Sequence, residues 1–114
     1  MEPHSWVERF AGAITVCDPD GIILEMNEQA AQVFAADGGR ALVGQCLFGC
    51  HSPASAELLR GMLVRQERHV YTIEKHGVKK LIYQTPWYQS DGRYGGFVEV
   101  SLPLPEEMPH FVRG

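Results

Sequence analysis

The sequence lacks the features that mark several large protein classes. It has no apolar run near the ~20 residues that a membrane-spanning helix needs. Its first residues, MEPHSWVERF, lack the apolar core of a secretory signal peptide. Its three cysteines do not form an even disulfide framework. We therefore expect a cytoplasmic protein with free thiols.

Positive charge and enzyme motifs are also scarce. Ten lysines and arginines against fourteen acidic residues give a net charge of −4, which argues against a nucleic-acid-binding surface. The sequence contains no Gly-rich phosphate loop, no nucleophile elbow and no HExxH helix, so we expect no enzymatic activity. What is present is an ordinary globular composition in 114 residues, enough for one domain with one core.

The stretch from Ala13 to Ala31 is typical of a strand, a tight turn, a second strand and a helix. Aliphatic and other residues alternate through Ile14–Cys17. They are followed by Asp18-Pro19-Asp20-Gly21, residue types that tight turns favour, with Gly21 expected at a positive φ. An aliphatic strand follows, and Asn27 is a good N-cap for the helix.

Two further helices are predicted on either side of this stretch. The first covers residues 3 to 12 and presents one apolar face that includes Trp6 and Phe10. The second is longer and begins at Ser52, because a serine followed by Pro53 is a strong helix-start signal. The predicted buried face of this long helix consists of Leu58, Leu59, Met62 and Leu63.

The second half of the chain is typical of three strands joined by hairpin turns. These strands are predicted over residues 69–74, 79–88 and 94–102. The last one is expected to turn its aliphatic residues towards the helices, namely Val98, Val100 and Leu102. The strands also carry tyrosines and Gln84 among aliphatic residues, a combination that suits a small ligand. A proline-rich tail follows from residue 103 to 114.

Three segments together resemble PAS sensor domains. The string D-P-D-G-I-I-L-E-M-N-E-Q-A-A, which begins at Asp18, is similar to the first two strands and first helix of that family. The segment Leu42–Phe48 resembles its "(I/L)-x-G-x-x-(L/F)-F" pattern. The segment Gly49–Pro53 resembles a PAS subgroup that carries Cys-His-Pro-Pro, with Ser52 in place of the first proline. The resemblance covers residues 10 to 102.

This resemblance implies an α+β fold, a five-stranded antiparallel sheet in the order 2-1-5-4-3 with helices on one face. It also implies a sensory module that binds a small molecule between the sheet and the long helix. Since 114 residues leave no room for a kinase, cyclase or DNA-binding effector, we expect the output to pass to a separate effector protein. The candidate pocket residues are Ile14, Val16, Cys50, His51, Met62, Tyr71, Tyr83 and Val98.

Dimerisation is the second implied property. PAS-like domains often dimerise through a leading helix, which makes Trp6 and Phe10 candidates for a homodimer interface. The alternative is that each apolar face packs within its own subunit. There is also an alternative function. If side chains fill the pocket, the module binds no ligand and only mediates protein–protein association.

The string Cys46-Leu47-Phe48-Gly49-Cys50-His51 is the one constellation that suggests cofactor chemistry. It is one residue longer than the Cys-x-x-Cys-His of covalent haem attachment, and non-covalent haem through His51 is a less demanding alternative. Zinc needs four ligands, and this string supplies three. The reactive-cysteine run of flavin photoreceptors is missing, so the cofactor stays open. Because a helix start favours a thiolate, Cys50 is predicted to be the most reactive cysteine.

Overall fold

The computed structural model of the chain describes residues 5–114, apart from the side chain of Cys50. Its helices are α1 (Ser5–Glu8), α2 (Glu28–Val33) and α3 (Pro53–Arg65). Its strands are β1 (Ala13–Cys17), β2 (Ile23–Met26), β3 (His69–Lys75), β4 (Val78–Tyr88) and β5 (Tyr94–Pro103). Between α2 and α3 the chain forms three short 3-10 turns, Ala35–Asp37, Gly39–Leu42 and Leu47–Cys50, which we call the connecting segment.

The five strands form one antiparallel sheet in the order β2-β1-β5-β4-β3. This confirms the predicted fold class and strand order. The predicted bounds of β3, β4 and β5 agree with the structure to within one residue at each end. No helix among the described residues is long and apolar enough to cross a membrane.

The turn between β1 and β2 has the geometry that its residues predict. Asp18 Oδ1 accepts hydrogen bonds from the backbone N–H groups of Asp20 and Ile22, both at 2.9 Å. Gly21 has a φ of +83°, which confirms its predicted conformation. A Cβ at Gly21 would also lie 2.8 Å from the ring of Phe48, so this glycine allows the connecting segment to pack closely on the turn.

Asn27 joins three separate parts of the fold through one buried side chain. It is 2% exposed, and its Oδ1 accepts from the N–H groups of Ala30 and Ile14 at 3.0 Å. Its Nδ2 donates to the carbonyls of Val7 and Gly12 at 2.9 Å. The first of these bonds confirms the predicted N-cap. Helix α1 ends at Glu8, before the predicted end at residue 12, and the Val7 carbonyl accepts hydrogen bonds from both Asn27 Nδ2 and the N–H of Phe10.

Helix α3 begins as predicted, and part of its predicted buried face is buried. Ser52 caps it by accepting a hydrogen bond from the N–H of Ser55 at 3.2 Å, and Pro53 is its first residue. Its buried residues are Ala56 and Leu63, whereas Leu58 is 68% exposed. The prediction that Leu58 is buried was therefore wrong. Helix α3 covers only part of the sheet, and an open space remains between this helix and the sheet.

The two faces of the sheet carry different residues. The inner face, under α3 and the connecting segment, carries Thr15, Cys17, Gln84, Phe97 and Glu99. The outer face, on the side of α1, carries Ile14, Val16, Val98, Val100 and Leu102. The prediction that Val100 and Leu102 face α3 was therefore wrong, whereas Val98 contributes to both sides of the sheet. Alternation along β5 places neighbouring residues on opposite faces but does not say which face meets the helices.

Candidate ligand-binding cavity

A cavity of about 260 Å³ lies between the inner face of the sheet and the helices. Its walls are mainly apolar and include Phe34, Leu47, Leu59, Met62, Leu63 and Phe97. An apolar cavity of about 150 Å³ is large enough to bind benzene. The cavity therefore has room for a small ring compound with one or two substituents.

The floor of the cavity carries a row of polar residues across four strands. Thr15 pairs directly with Glu99, Glu99 with Gln84, and Gln84 with His69. Residues directly opposite each other in an antiparallel sheet share a face. We call these four residues the polar row. Thr15, Gln84 and Glu99 line the cavity, and His69 lies at the exposed edge of the sheet.

Hydrogen bonds connect three members of the polar row. Gln84 Nε2 donates to Glu99 Oε1 at 3.0 Å. Gln84 Oε1 lies 3.3 Å from Nδ1 of His69. The amide of Gln84 therefore holds the carboxylate of Glu99 in place while being held itself from the other side. Two hydrogen-bonded partners restrict the rotamers of all three side chains, so the floor is ordered before any ligand arrives.

Tyr71 and Cys17 line the same cavity as Glu99, and the charge of Glu99 contributes to the pKa of each. Burial, together with the negative charge of Glu99, raises the pKa of the Tyr71 hydroxyl. Burial is also the main cause of a raised pKa at the Cys17 thiol, to which the charges of Asp18 and Glu99 contribute. Both groups are therefore neutral near physiological pH, with the tyrosine able to donate a hydrogen bond.

Asp37, in the connecting segment, and His51, shortly before α3, line the cavity, and both are exposed. They therefore lie at the open side of the cavity, where a ligand would enter. Leu47 and Phe34 also line the cavity, and they pack against the buried cluster that includes Ile23 and Leu42. The cavity is thus polar at its opening and along its floor, and apolar between.

The predicted pocket residues divide between the two faces of the sheet. His51, Met62 and Tyr71 line the cavity. Ile14 and Val16 line the outer face instead, and Val98 contributes to both sides. The side chain of Cys50 lies outside the described residues.

Tyr83 also lies on the outer face, because it pairs with Val70 and Val100. Its hydroxyl accepts a hydrogen bond from Arg68 Nη1 at 3.2 Å. The placement of Ile14, Val16 and Tyr83 in the cavity is therefore corrected. A shift of one residue along a strand moves a side chain to the opposite face. Such a shift accounts for the misplacement of all three residues.

The lining residues that sequence reasoning missed are mostly the polar ones. Thr15 and Glu99 interrupt aliphatic strands, and each is one residue away from an aliphatic residue that was chosen instead. Gln84 is the polar lining residue that the sequence does indicate as suited to a small ligand, and it lies in the cavity. The sequence signal for the polar row is that several aliphatic strands each contain a polar residue.

The outer face forms a shallow groove with α1. The groove is lined by Trp6, Val7, Ile14, Val16, Val98 and Val100. Trp6 is 67% exposed, and its ring contacts that of Phe10 edge-on with 6.5 Å between the centroids. The groove is mainly apolar, and α1 covers only part of the outer face.

The Cys46–His51 string can be followed only in part, since the Cys50 side chain is not described. Cys46 forms a backbone bridge with Ile22, which ties the connecting segment to β2. Elsewhere in residues 5–114, no three potential metal-ligating side chains come together.

Comparison with known proteins gives matches in structure rather than in sequence. No protein-family model matches the chain, and no curated protein is similar enough in sequence to count as a relative. The Aer2 receptor of Vibrio cholerae, described as a dual PAS-heme oxygen sensor, is 17% identical. Its TM-score is 0.65, and the match covers 82% of this chain and 95% of that one.

Two further solved structures show the same likeness. The PAS domain of BvgS from Bordetella pertussis is 20% identical with a TM-score of 0.61, over 88% of this chain and 82% of that one. VqmA bound to DPO is 14% identical with a TM-score of 0.63, over 88% of this chain and 56% of that one. At such identities the likeness concerns the fold alone.

Proposed function

We propose that this chain, which has the PAS fold, is a sensory signalling module that binds a small molecule and acts on a separate partner protein. The observation that carries the proposal is the cavity of about 260 Å³ beneath α3. Apolar walls with a few converging polar groups are typical of small-molecule sites. Because protein interiors are otherwise close-packed, a lined space of this size favours a ligand over a core filled by side chains.

Two structural neighbours support a binding role for this fold. The Aer2 receptor is described as a PAS-heme oxygen sensor, and VqmA was solved bound to DPO. The cavity of this chain favours a small ring compound. The cavity volume is closer to that of a substituted benzene than to that of a tetrapyrrole, and the exposed His51 is among its lining residues.

Mass spectrometry under native conditions tests ligand binding directly. We expect the gently purified chain to carry a non-protein mass. Thr15→Phe fills the cavity from its floor and is expected to lose that mass. Val16→Phe, one residue along on the outer face, is the matched control and should retain it. Equal retention by both variants would place the ligand elsewhere, and a native chain that binds neither a copurified compound nor an added one would contradict the function.

Homodimerisation is a second candidate function, and the outer face favours it. Its groove is apolar, yet α1 covers only part of it and leaves Trp6 67% exposed. Apolar patches of this kind mark association sites. A second copy of the chain, with the same groove, would bury both patches in one symmetric interface.

Sedimentation tests the dimer. Trp6→Ala combined with Phe10→Ala is expected to convert a dimer to a monomer while the circular dichroism spectrum stays largely unchanged. Leu58→Ala is the matched control, since Leu58 is as exposed as Trp6 but lies on α3. Loss of the folded spectrum in the double variant would show instead that α1 packs within its own subunit.

A further inference from the structure

The charges around the cavity indicate the chemistry of its ligand. Its lining includes two carboxylates, Asp37 and Glu99, and no lysine or arginine among the described side chains. The one basic group in the lining is His51, on the exposed side. A negatively charged ligand would meet like charge on the floor of the cavity, whereas a positively charged one would meet opposite charge.

Glu99 has an oxygen available for a ligand. Its Oε1 accepts from Gln84 Nε2 at 3.0 Å, while its Oε2 has no hydrogen-bond partner within the described part of the chain. Glu99 also forms no ion pair with the described basic side chains. A half-buried carboxylate with an open acceptor oxygen binds a charged donor more strongly than a neutral one.

Aromatic rings add a second attraction for a cation. Phe34, Tyr71 and Phe97 all line the cavity, and the faces of aromatic rings attract organic cations. The remaining walls are aliphatic, so they suit an apolar body. The volume of about 260 Å³ limits that body to a small ring or a short branched chain.

We propose that the ligand is a small organic cation, an ammonium group carried on a compact apolar or aromatic body. Glu99 binds the ammonium group, and Gln84 is a positioning residue that holds the carboxylate towards the cavity. This inference rests on the proposed ligand-binding function and names the class of compound for it.

Three probes of nearly equal size separate charge from shape: benzylamine, benzyl alcohol and benzoate. Binding to the full chain is followed near neutral pH by methyl NMR. The reporters are the methyl groups of Met62 and Leu63 in the cavity, with Val16 and Val100 on the outer face as references. We expect benzylamine to bind roughly tenfold or more tightly than benzyl alcohol, and benzoate to bind most weakly.

Two neutral substitutions locate the charge that matters. Glu99→Gln keeps the size of the side chain and can still accept from Gln84. We expect it to weaken benzylamine by roughly tenfold and to leave benzyl alcohol almost unchanged. Glu25→Gln removes a carboxylate from the outer groove and should change neither. Gln84→Leu is expected to lower the preference for the amine over the alcohol, which a purely structural role would not do.

The outcomes distinguish this proposal from the function on which it rests. Equal binding of amine and alcohol, or tightest binding of benzoate, at the cavity methyl groups would overturn the cation proposal and leave ligand binding in place. Absence of shifts at those methyl groups with all three probes would overturn both. If Glu99→Gln fails to fold, the ranking of the probes on the native chain decides.

Discussion

The inner and outer faces of the sheet depart from the usual separation of polar and apolar residues. In most antiparallel sheets the covered face is apolar and the open face is polar. Here the covered inner face carries the polar row, and the more open outer face carries the aliphatic residues Ile14, Val16, Val98 and Val100.

The energetic consequence also differs between the faces. Polar groups on a covered face are tolerated because they bond to one another, as Gln84 does with Glu99 and His69. Aliphatic groups on an open face contribute little until a second surface covers them. The polar groups of the inner face therefore find partners within one chain, whereas the aliphatic residues of the outer face stay partly exposed in one chain.

The largest expected effect on stability comes from disrupting the pairing of β5 with β1, on which the composition of both faces depends. Gly96 has a φ of +125°, and a Cβ there would lie 2.0 Å from the carbonyl oxygen of Cys17 on β1. Gly96→Ala is therefore expected to lower the free energy of unfolding by roughly 3 kcal/mol or more, measured in urea.

Gly92 provides the control for Gly96. It also has a positive φ, of +91°, but a Cβ there would meet nothing within 4 Å. Gly92→Ala should lower the free energy of unfolding by roughly 1 kcal/mol. Equal effects at the two glycines would show that close approach to β1 does not hold the register.

Removal of the turn glycine is expected to have an intermediate effect. Gly21→Ala introduces strain at a positive φ and pushes the ring of Phe48, over which Arg60 lies at 4.7 Å. We expect the free energy of unfolding to fall by roughly 1–2 kcal/mol, because the cover of the inner face is disturbed as well as the turn. Equal or higher stability in urea would contradict this account of the turn.

Replacement of the polar row by apolar residues sharpens the contrast between the faces. When both partners of a buried hydrogen bond are replaced by apolar groups, stability changes little or rises. The pair Gln84→Leu with Glu99→Leu is therefore expected to raise the free energy of unfolding by up to about 1 kcal/mol while abolishing ligand binding.

The outer face supplies the matched pair for that experiment. Ile14 and Val100 are directly opposite each other, and Ile14→Thr with Val100→Thr makes the outer face more polar. This pair should lower the free energy of unfolding by about 1 kcal/mol and leave ligand binding intact. A loss of several kcal/mol in the inner pair would show that the polar row is structural.

The smallest expected effect concerns thiol reactivity on the inner face. Cys17 is 4% exposed, and burial raises its pKa, so less of it is thiolate at neutral pH than in an ordinary cysteine. In single-cysteine variants we expect Cys17 to label most slowly and Cys50 most rapidly, with the rate at Cys17 rising only at higher pH. A cavity ligand should slow Cys17 further.

A different order of labelling would have a specific meaning for Cys50 and for Cys17. Labelling of Cys50 no faster than that of Cys17 and Cys46 would mean that the segment before α3 is only a helix cap. Labelling of Cys17 as fast as Cys46, with or without a ligand, would mean that the inner face is more open than its packing against Leu63 and Phe97 indicates.

Local elements of this fold could be predicted from the sequence, because their causes lie within a few residues. Gly21 and the aspartates set the first turn, Asn27 and Ser52 cap helices, and the bounds of β3, β4 and β5 follow from alternation. The strand order came from the resemblance of short motifs to a known fold, which the sheet then confirmed.

The sequence by itself determined which residues alternate, but only the tertiary structure decided which of them enter the cavity. Val98 and Glu99 are neighbours, and alternation requires only that they lie on opposite faces. Their sides are set by pairing with β1, some eighty residues earlier in the chain, and by where α3 lies across the sheet. The hydrogen bonds from Asn27 to the carbonyls of Val7 and Gly12 likewise form only when segments that are distant in sequence come together in the folded chain. Hydrophobicity alone assigns aliphatic residues to the covered face, and here hydrogen bonding among Gln84, Glu99 and His69 allows the opposite arrangement.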